Sequence, residues 1–122
     1  MGFPINVKMC EQQMESGLVM GIGSALWEEI KTDKGKLLNP NLRDYKIADA
    51  SNIPDIANFK CFMAPAPHKD GPYGAKGCGE TQMTPSAGVI ANAIYNAVGV
   101  RLHGMPMTRE DIFNALRDQK KS

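Results

Sequence analysis

The stretch Glu11-Gln12-Gln13-Met14-Glu15-Ser16-Gly17-Leu18-Val19-Met20-Gly21-Ile22-Gly23-Ser24-Ala25-Leu26-Trp27-Glu28-Glu29-Ile30 decides the fold. Met14, Leu18, Ile22, Leu26 and Ile30 recur at every fourth position with Ala25 beside them, the spacing of an amphipathic helix running from about Glu11 to Ile30. Gly17, Gly21 and Gly23 lie inside that helix, and each costs about 1 kcal/mol relative to alanine. Gly17 and Gly21 stand one turn apart on one face, so the expected compensation is the close approach of a neighbouring backbone or a ligand. The run from Gly21 to Leu26 is not a dinucleotide fingerprint, because Leu26 occupies the third glycine position and no strand signal precedes it.

Beyond the helix the hydrophobic period changes. Thr32 to Lys36 carries Asp33 and Gly35 where a turn wants them. Leu42 to Ile47 and Phe59 to Met63 are strand candidates; in the second, Phe59, Cys61 and Met63 alternate with Lys60 and Phe62. Ser51 to Asp55 reads as loop, and Ala64 to Pro72 is rich in proline and therefore extended or irregular. A helix is expected from Thr84, capped by Thr84 with Pro85 at its first position, burying Ala87, Ile90, Ala91, Ile94 and Val98 and ending at Gly99. A last helix starts at Thr108 with a capping box closed by Asp111, buries Ile112 and Leu116, and frays into a solvated tail at Lys120 and Lys121. The expected class is α+β: a long glycine-bearing N-terminal helix, a few mainly antiparallel strands in the middle, and two C-terminal helices.

The 122 residues correspond by length to a single domain, 1–122, with a modest core, and no repeat or long linker divides them. With 43% hydrophobic and 22% charged residues the chain is globular in composition. A formal charge of +1 gives no electrostatic reason to expect nucleic acid or a membrane surface as partner. No apolar run is long enough to span a bilayer, and no signal peptide is visible, so the cytoplasm is the expected compartment. Cys10, Cys61 and Cys78 are odd in number and contain no C-x-x-C pair, which argues against a disulfide framework, a zinc site or an iron–sulfur cluster in this chain. His68 and His103 have no partner at metal-ligand spacing and read as surface residues; Trp27 and Tyr45 read as core or interface.

The run Gly74-Ala75-Lys76-Gly77-Cys78-Gly79-Glu80 carries the chemistry. Successive backbone N–H groups in a glycine loop before a helix suit an anion, but a carboxylate is the wrong charge to place there for phosphate. Glu80 is therefore either a reactive group beside a bound cofactor or an acid favouring a helix start. Cys78 reads as a reactive thiol or as a small loop filler.

Taken together these motifs resemble the carboxy-terminal part of the molybdenum-cofactor subunit of the xanthine dehydrogenase and aldehyde oxidase family, over about Ile5 to Leu116. Gln13-Met14-Glu15 followed by Gly21 to Glu29 is similar to the family's Q-x-E helix and its G-x-G-x-A-L-x-E-E continuation. Leu38-Asn39-Pro40, Asp44 to Ile47 and Ile53-Pro54 resemble its N-P, D-Y-K-I-P and I-P segment. Gly74 to Glu80 resembles its G-A-K-G-x-G-E loop, and Ala91 to Ile94 its A-N-A-I helix.

The resemblance implies that Glu80 is the catalytic base toward a water-derived oxygen in the oxidation of an N-heterocycle (purine-like) or an aldehyde. It further implies that Gln13 contacts the pterin of the molybdenum cofactor and that Lys76, Gly77, Cys78 and Gly79 pass beside it. The dithiolene sulfurs of the pterin hold the metal, so no protein metal ligand is expected. Implied partners are the upstream part of the molybdenum subunit and iron–sulfur and FAD subunits. The isolated chain is then expected to bind no molybdopterin, to be inactive, and to form a homo-oligomer. Val7, Ser16, Met20 and Thr81-Gln82 depart from the family pattern and leave the substrate branch open. Two readings from other classes stand beside this one: a non-catalytic remnant serving as an interaction module, and a small-anion-binding module using the amides of Gly77 to Glu80.

Overall fold

A computed structural model describes residues 1–120; Lys121, part of the expected tail, lies outside the described residues. Helix α1 spans Val7–Leu26. It starts earlier than the apolar pattern predicts because the Asn6 side chain accepts the Met9 N–H at 3.1 Å and caps it. It also ends earlier, where Trp27 leaves helical geometry and the Trp27 and Glu28 amides both donate to the Gly23 carbonyl.

The buried face of α1 is not the apolar stripe. Gly17, Gly21, Gly23 and Ala25 are buried, whereas Leu18 is 39% and Ile30 69% exposed. A Cβ on Gly17 would lie 2.8 Å from Gln82 Cβ and 3.3 Å from the Met83 amide nitrogen. A Cβ on Gly21 would overlap the Ser86 side chain and lie 3.4 Å from the Met83 carbonyl oxygen. The missing side chains thus admit the backbone of residues 82–86, which leads into α3 (Ser86–Val98), and the packing of α3 on α1 offsets the propensity cost of the glycines.

After α1 the chain forms a hairpin of β1 (Thr32–Asp33) and β2 (Lys36–Leu37), antiparallel with Thr32 opposite Leu37. Lys34 and Gly35 have φ of 46° and 80°, the two positive values of a tight hairpin turn that matches strand twist. The buried Asn39 side chain closes the hairpin base, accepting the Lys31 N–H at 2.9 Å and donating to the Glu29 carbonyl at 2.6 Å. This two-stranded sheet is the β component of the α+β class.

Both strand candidates are corrected. Residues Leu42–Tyr45 form the one-turn helix α2, because Asn41 accepts the Asp44 N–H at 3.1 Å and donates to its carboxylate at 2.9 Å, and local capping outweighs weak alternation. Residues 59–63 have no partner strand among the described residues; the Cys61 thiol instead donates to the Glu11 carbonyl of α1 at 3.9 Å. A helix offers no free ladder of backbone groups, so alternation there produces no sheet.

Helix α3 begins one residue later than predicted. Residues 81–85 form a turn in which Met83 N–H donates to the Glu80 carbonyl and Ser86 N–H to the Met83 carbonyl, at 3.0 and 3.1 Å. Pro85 takes the cap position and Thr84 makes no cap bond. Ala87, Ile90, Ala91 and Ile94 are half-buried, Val98 is 38% exposed, and Gly99 ends the helix with φ 74°. Helix α4 spans Arg109–Gln119 behind the expected capping box, in which the Thr108 hydroxyl accepts the Asp111 N–H and the Asp111 carboxylate accepts the Thr108 N–H.

The core is smaller than the length suggests. Ala25, Val100 and Met107 are the buried hydrophobic residues among those described, and the Met107 N–H donates to the Ala25 carbonyl at 2.7 Å. Phe3, Ile5, Met9, Phe62 and Phe113 are each exposed. No described helix is long and apolar enough to cross a membrane.

Candidate active site and cofactor cleft

The glycine loop is pinned before it reaches its functional residues. Tyr73 and Gly74 take consecutive positive φ of 54° and 77°, turning the chain so that the Gly74 carbonyl accepts both the Phe3 and the His68 N–H, at 2.9 and 3.0 Å. From there the loop runs toward α1. Gln13 Nε2 donates to the Cys78 carbonyl at 3.3 Å, a tie between residues far apart in sequence. Gln13, Lys76 and Cys78 thereby line one cleft of about 330 Å³, shared with Phe3, Met9 and Cys10.

Gly77 and Gly79 flank Cys78, and a Cβ at either would meet nothing within 4 Å. Their surface therefore faces open space. Lys76 forms no ion pair among the described residues. Cys78 is held in place on its other side, its sulfur accepting from Gln82 Nε2 at 3.4 Å.

Glu80 ends the loop, exposed and outside the residues that line the cleft. Its carboxylate has no hydrogen-bond or ion-pair partner among the described residues, whereas its carbonyl is fixed by the turn to Met83. The first turn of α3 holds no acidic residue, because the helix starts at Ser86 and the turn of residues 81–85 intervenes. The helix-start explanation of Glu80 is thereby removed. The same spacing leaves the amides of Gly77 to Glu80 without a helix terminus directly behind them, which weakens an anion site there.

The turn connects Glu80 to the rest of the fold. Its Gln82 and Met83 pack against Gly17, and Ser86 against Gly21. The glycine face of α1 thus sets the position of the segment that carries the carboxylate. Cys10 is the cleft residue that sequence reasoning missed; its signal was its place one helical turn before Gln13, on the same face. Desolvation pushes the Cys10 thiol above its ordinary value, and the nearby Cys78 thiol adds to the rise. A larger cleft of about 530 Å³, lined by Glu29, Lys31, His103, Glu110 and Asp111 among others, holds none of the predicted site residues.

These features fit a bulky, anionic organic cofactor. The two glycines leave room against the loop, an unpaired lysine supplies positive charge, and an amide side chain fastens the loop to a rigid helix. No group of three or more potential metal-ligating side chains occurs among the described residues.

The class follows from comparison. A family model described as a molybdopterin cofactor-binding domain matches residues 1–54, the segment that contains Gln13 and the glycine face. The chain is 34% identical over 114 residues to the xanthine dehydrogenase molybdenum-binding subunit of Escherichia coli O157:H7, covering 92% of this chain and 15% of that protein. It is 31% identical over 116 residues to the aldehyde oxidoreductase molybdenum-binding subunit PaoC of Escherichia coli K12, covering 93% of this chain and 16% of that protein. Quinoline 2-oxidoreductase from Pseudomonas putida 86 superposes with a TM-score of 0.81 at 31% identity, over 96% of this chain and 15% of that one. The chain corresponds to a segment of the molybdenum-cofactor-binding subunit of the xanthine dehydrogenase and aldehyde oxidase family. It spans about 15% of the length of the curated relatives it matches.

Proposed function

We propose that this chain forms one wall of a molybdenum hydroxylase active site, with Glu80 as the general base and with Gln13 and Lys76 to Gly79 against the cofactor. The observation that carries this reading is the Gln13–Cys78 bond, which sets helix and glycine loop around one cleft. When bound, the molybdenum cofactor supplies the redox capacity for oxidising a purine-like N-heterocycle or an aldehyde with oxygen taken from water. The protein residues supply position and proton transfer. Gln13 holds the loop carbonyl, Lys76 offers charge to an anionic group, and Gly77 and Gly79 allow close approach. Glu80 takes the proton of the attacking water on a carboxylate oxygen, and its exposure gives that proton a route to solvent.

The remaining walls come from the rest of a molybdenum subunit, and electrons leave through iron–sulfur and FAD subunits, as expected for a cytoplasmic assembly of this kind. Alone, the chain binds no cofactor and turns over no substrate, because a site needs support from several sides. Alone, it also self-associates. Exposed Ile5, Met9, Leu18 and Met20 leave apolar surface on α1 and its approach, unfavourable in water by about 25 cal/mol per Å². Sedimentation of the isolated chain is expected to show a dimer or larger species; a strict monomer at high concentration would end that expectation.

Gly77→Val tests the cofactor wall. Because a Cβ at Gly77 meets nothing within 4 Å, the unfolding midpoint of the chain should stay close to that of the parent. In the assembly the added atoms occupy room assigned to the pterin, and molybdenum content should fall about tenfold, the loss that a penalty of about 1.4 kcal/mol produces. Full molybdenum content in Gly77→Val would move the cofactor off this loop.

A further inference from the structure

One reactive pair in the cleft has no part in the proposed proton transfer. Cys10 on α1 and Cys78 in the glycine loop both line it, both are half-buried, and both sulfurs are free thiols. Gln13, one turn beyond Cys10 on the same helix face, binds the Cys78 carbonyl at 3.3 Å, so the backbone of Cys78 is held against that face. Glycines on both sides of Cys78, each with open space at its Cβ position, leave the loop free to adjust to the geometry of a sulfur–sulfur bond. The influence of the Cys78 thiol on the Cys10 thiol, which it raises, agrees with this placement. Cys61 is differently situated: its thiol donates to the Glu11 carbonyl, with the Glu11 and Glu15 carboxylates near it, and it does not line the cleft.

We propose that Cys10 and Cys78 are a redox-sensitive pair that closes to a disulfide, stapling α1 to the glycine loop across the cleft. The oxidant is a peroxide. One thiol breaks the peroxide O–O bond, becoming a sulfenic acid with release of water. The second thiol sulfur then displaces the hydroxyl from that sulfur, forming the S–S bond and a second water. Two thiols are oxidised and one peroxide is reduced; a dithiol reductant reverses the change. The staple ties together the residues that bound the cleft, so oxidation holds Lys76 to Gly79 in a single arrangement beside Gln13. Its formation depends on the two sulfurs and is read without reference to molybdenum, so it stands or falls separately from the proposed function.

The test treats the native protein with graded hydrogen peroxide, alkylates the remaining thiols, and maps the peptides by mass. The expected result is loss of two of the three free thiols, with a Cys10–Cys78 linked peptide, a mass decrease of about 2 Da from the two thiol hydrogens, and full recovery on reduction. Cys61→Ser should leave the linked peptide unchanged and Cys78→Ser should remove it. A link through Cys61, independent over-oxidation of Cys10 and Cys78 without a link, or no loss of thiol would each overturn the proposal. The parent-protein map alone decides the matter if Cys78→Ser does not fold.

Discussion

Glu80→Gln should lower turnover of the complete assembly by about 10²–10⁴-fold, the usual cost of losing a positioned general base. The amide keeps the size of the side chain but cannot take up a proton. Cofactor content should remain close to that of the parent, because Glu80 lies outside the residues that line the cleft. The fold should be unaffected, since the carboxylate makes no hydrogen bond or ion pair among the described residues, and the backbone bond from Met83 to the Glu80 carbonyl is retained. The separation of activity from molybdenum content is what distinguishes a base from a binding residue. Unchanged turnover would reduce Glu80 to an exposed loop acid.

Gly21→Ala is expected to destabilise the chain by up to about 2 kcal/mol, although alanine is the better helix former. The gain in helix propensity is about 1 kcal/mol. Against it stands overpacking, which costs about 1–3 kcal/mol where side chains can adjust. Here the new Cβ overlaps the Ser86 side chain and reaches the Met83 carbonyl at 3.4 Å, so α3 and the turn before it must move away from α1. Ser86→Ala should recover part of the loss, since it removes a hydroxyl oxygen that is buried without a hydrogen-bond partner. Gly88→Ala provides the contrast: it lies inside α3 with nothing within 4 Å of its Cβ position and should stabilise the chain by about 0.5–1 kcal/mol. Urea midpoints of the three variants measure these differences. Equal effects of Gly21→Ala and Gly88→Ala would mean that the glycine face does not set the helix crossing. Because residues 81–85 join that crossing to Glu80, Gly21→Ala should also reduce turnover in the assembly.

Much of this architecture is legible in the amino-acid order, and the failures have physical causes. The spacing of Gly17 and Gly21 foretold a close backbone approach, and residues 82–86 make it. Gly99 and the Thr108–Asp111 box mark helix ends correctly because each acts through local chemistry. The apolar stripe of α1 misled, since periodicity identifies a hydrophobic face but does not say whether this chain covers it. Leu18 is exposed while its helix neighbours Gly17 and Gly21 are buried. The strand at Leu42 to Ile47 was lost to the Asn41 cap, and that at Phe59 to Met63 to the lack of a partner strand. At the site, Gln13, Lys76 and Cys78 line one cleft, and Cys10 joined them only through three-dimensional placement. The turn between Glu80 and α3 was also invisible, because Thr84-Pro85 reads as a helix start in any sequence.

Metal analysis of the assembly, purified from a molybdenum-replete host with this chain present and with it absent, bears most directly on the assignment. If the chain is a wall of the cofactor site, molybdenum and pterin co-purify with the assembly that contains it and are lost from the one that lacks it. Equal molybdenum and pterin in both preparations would contradict that role.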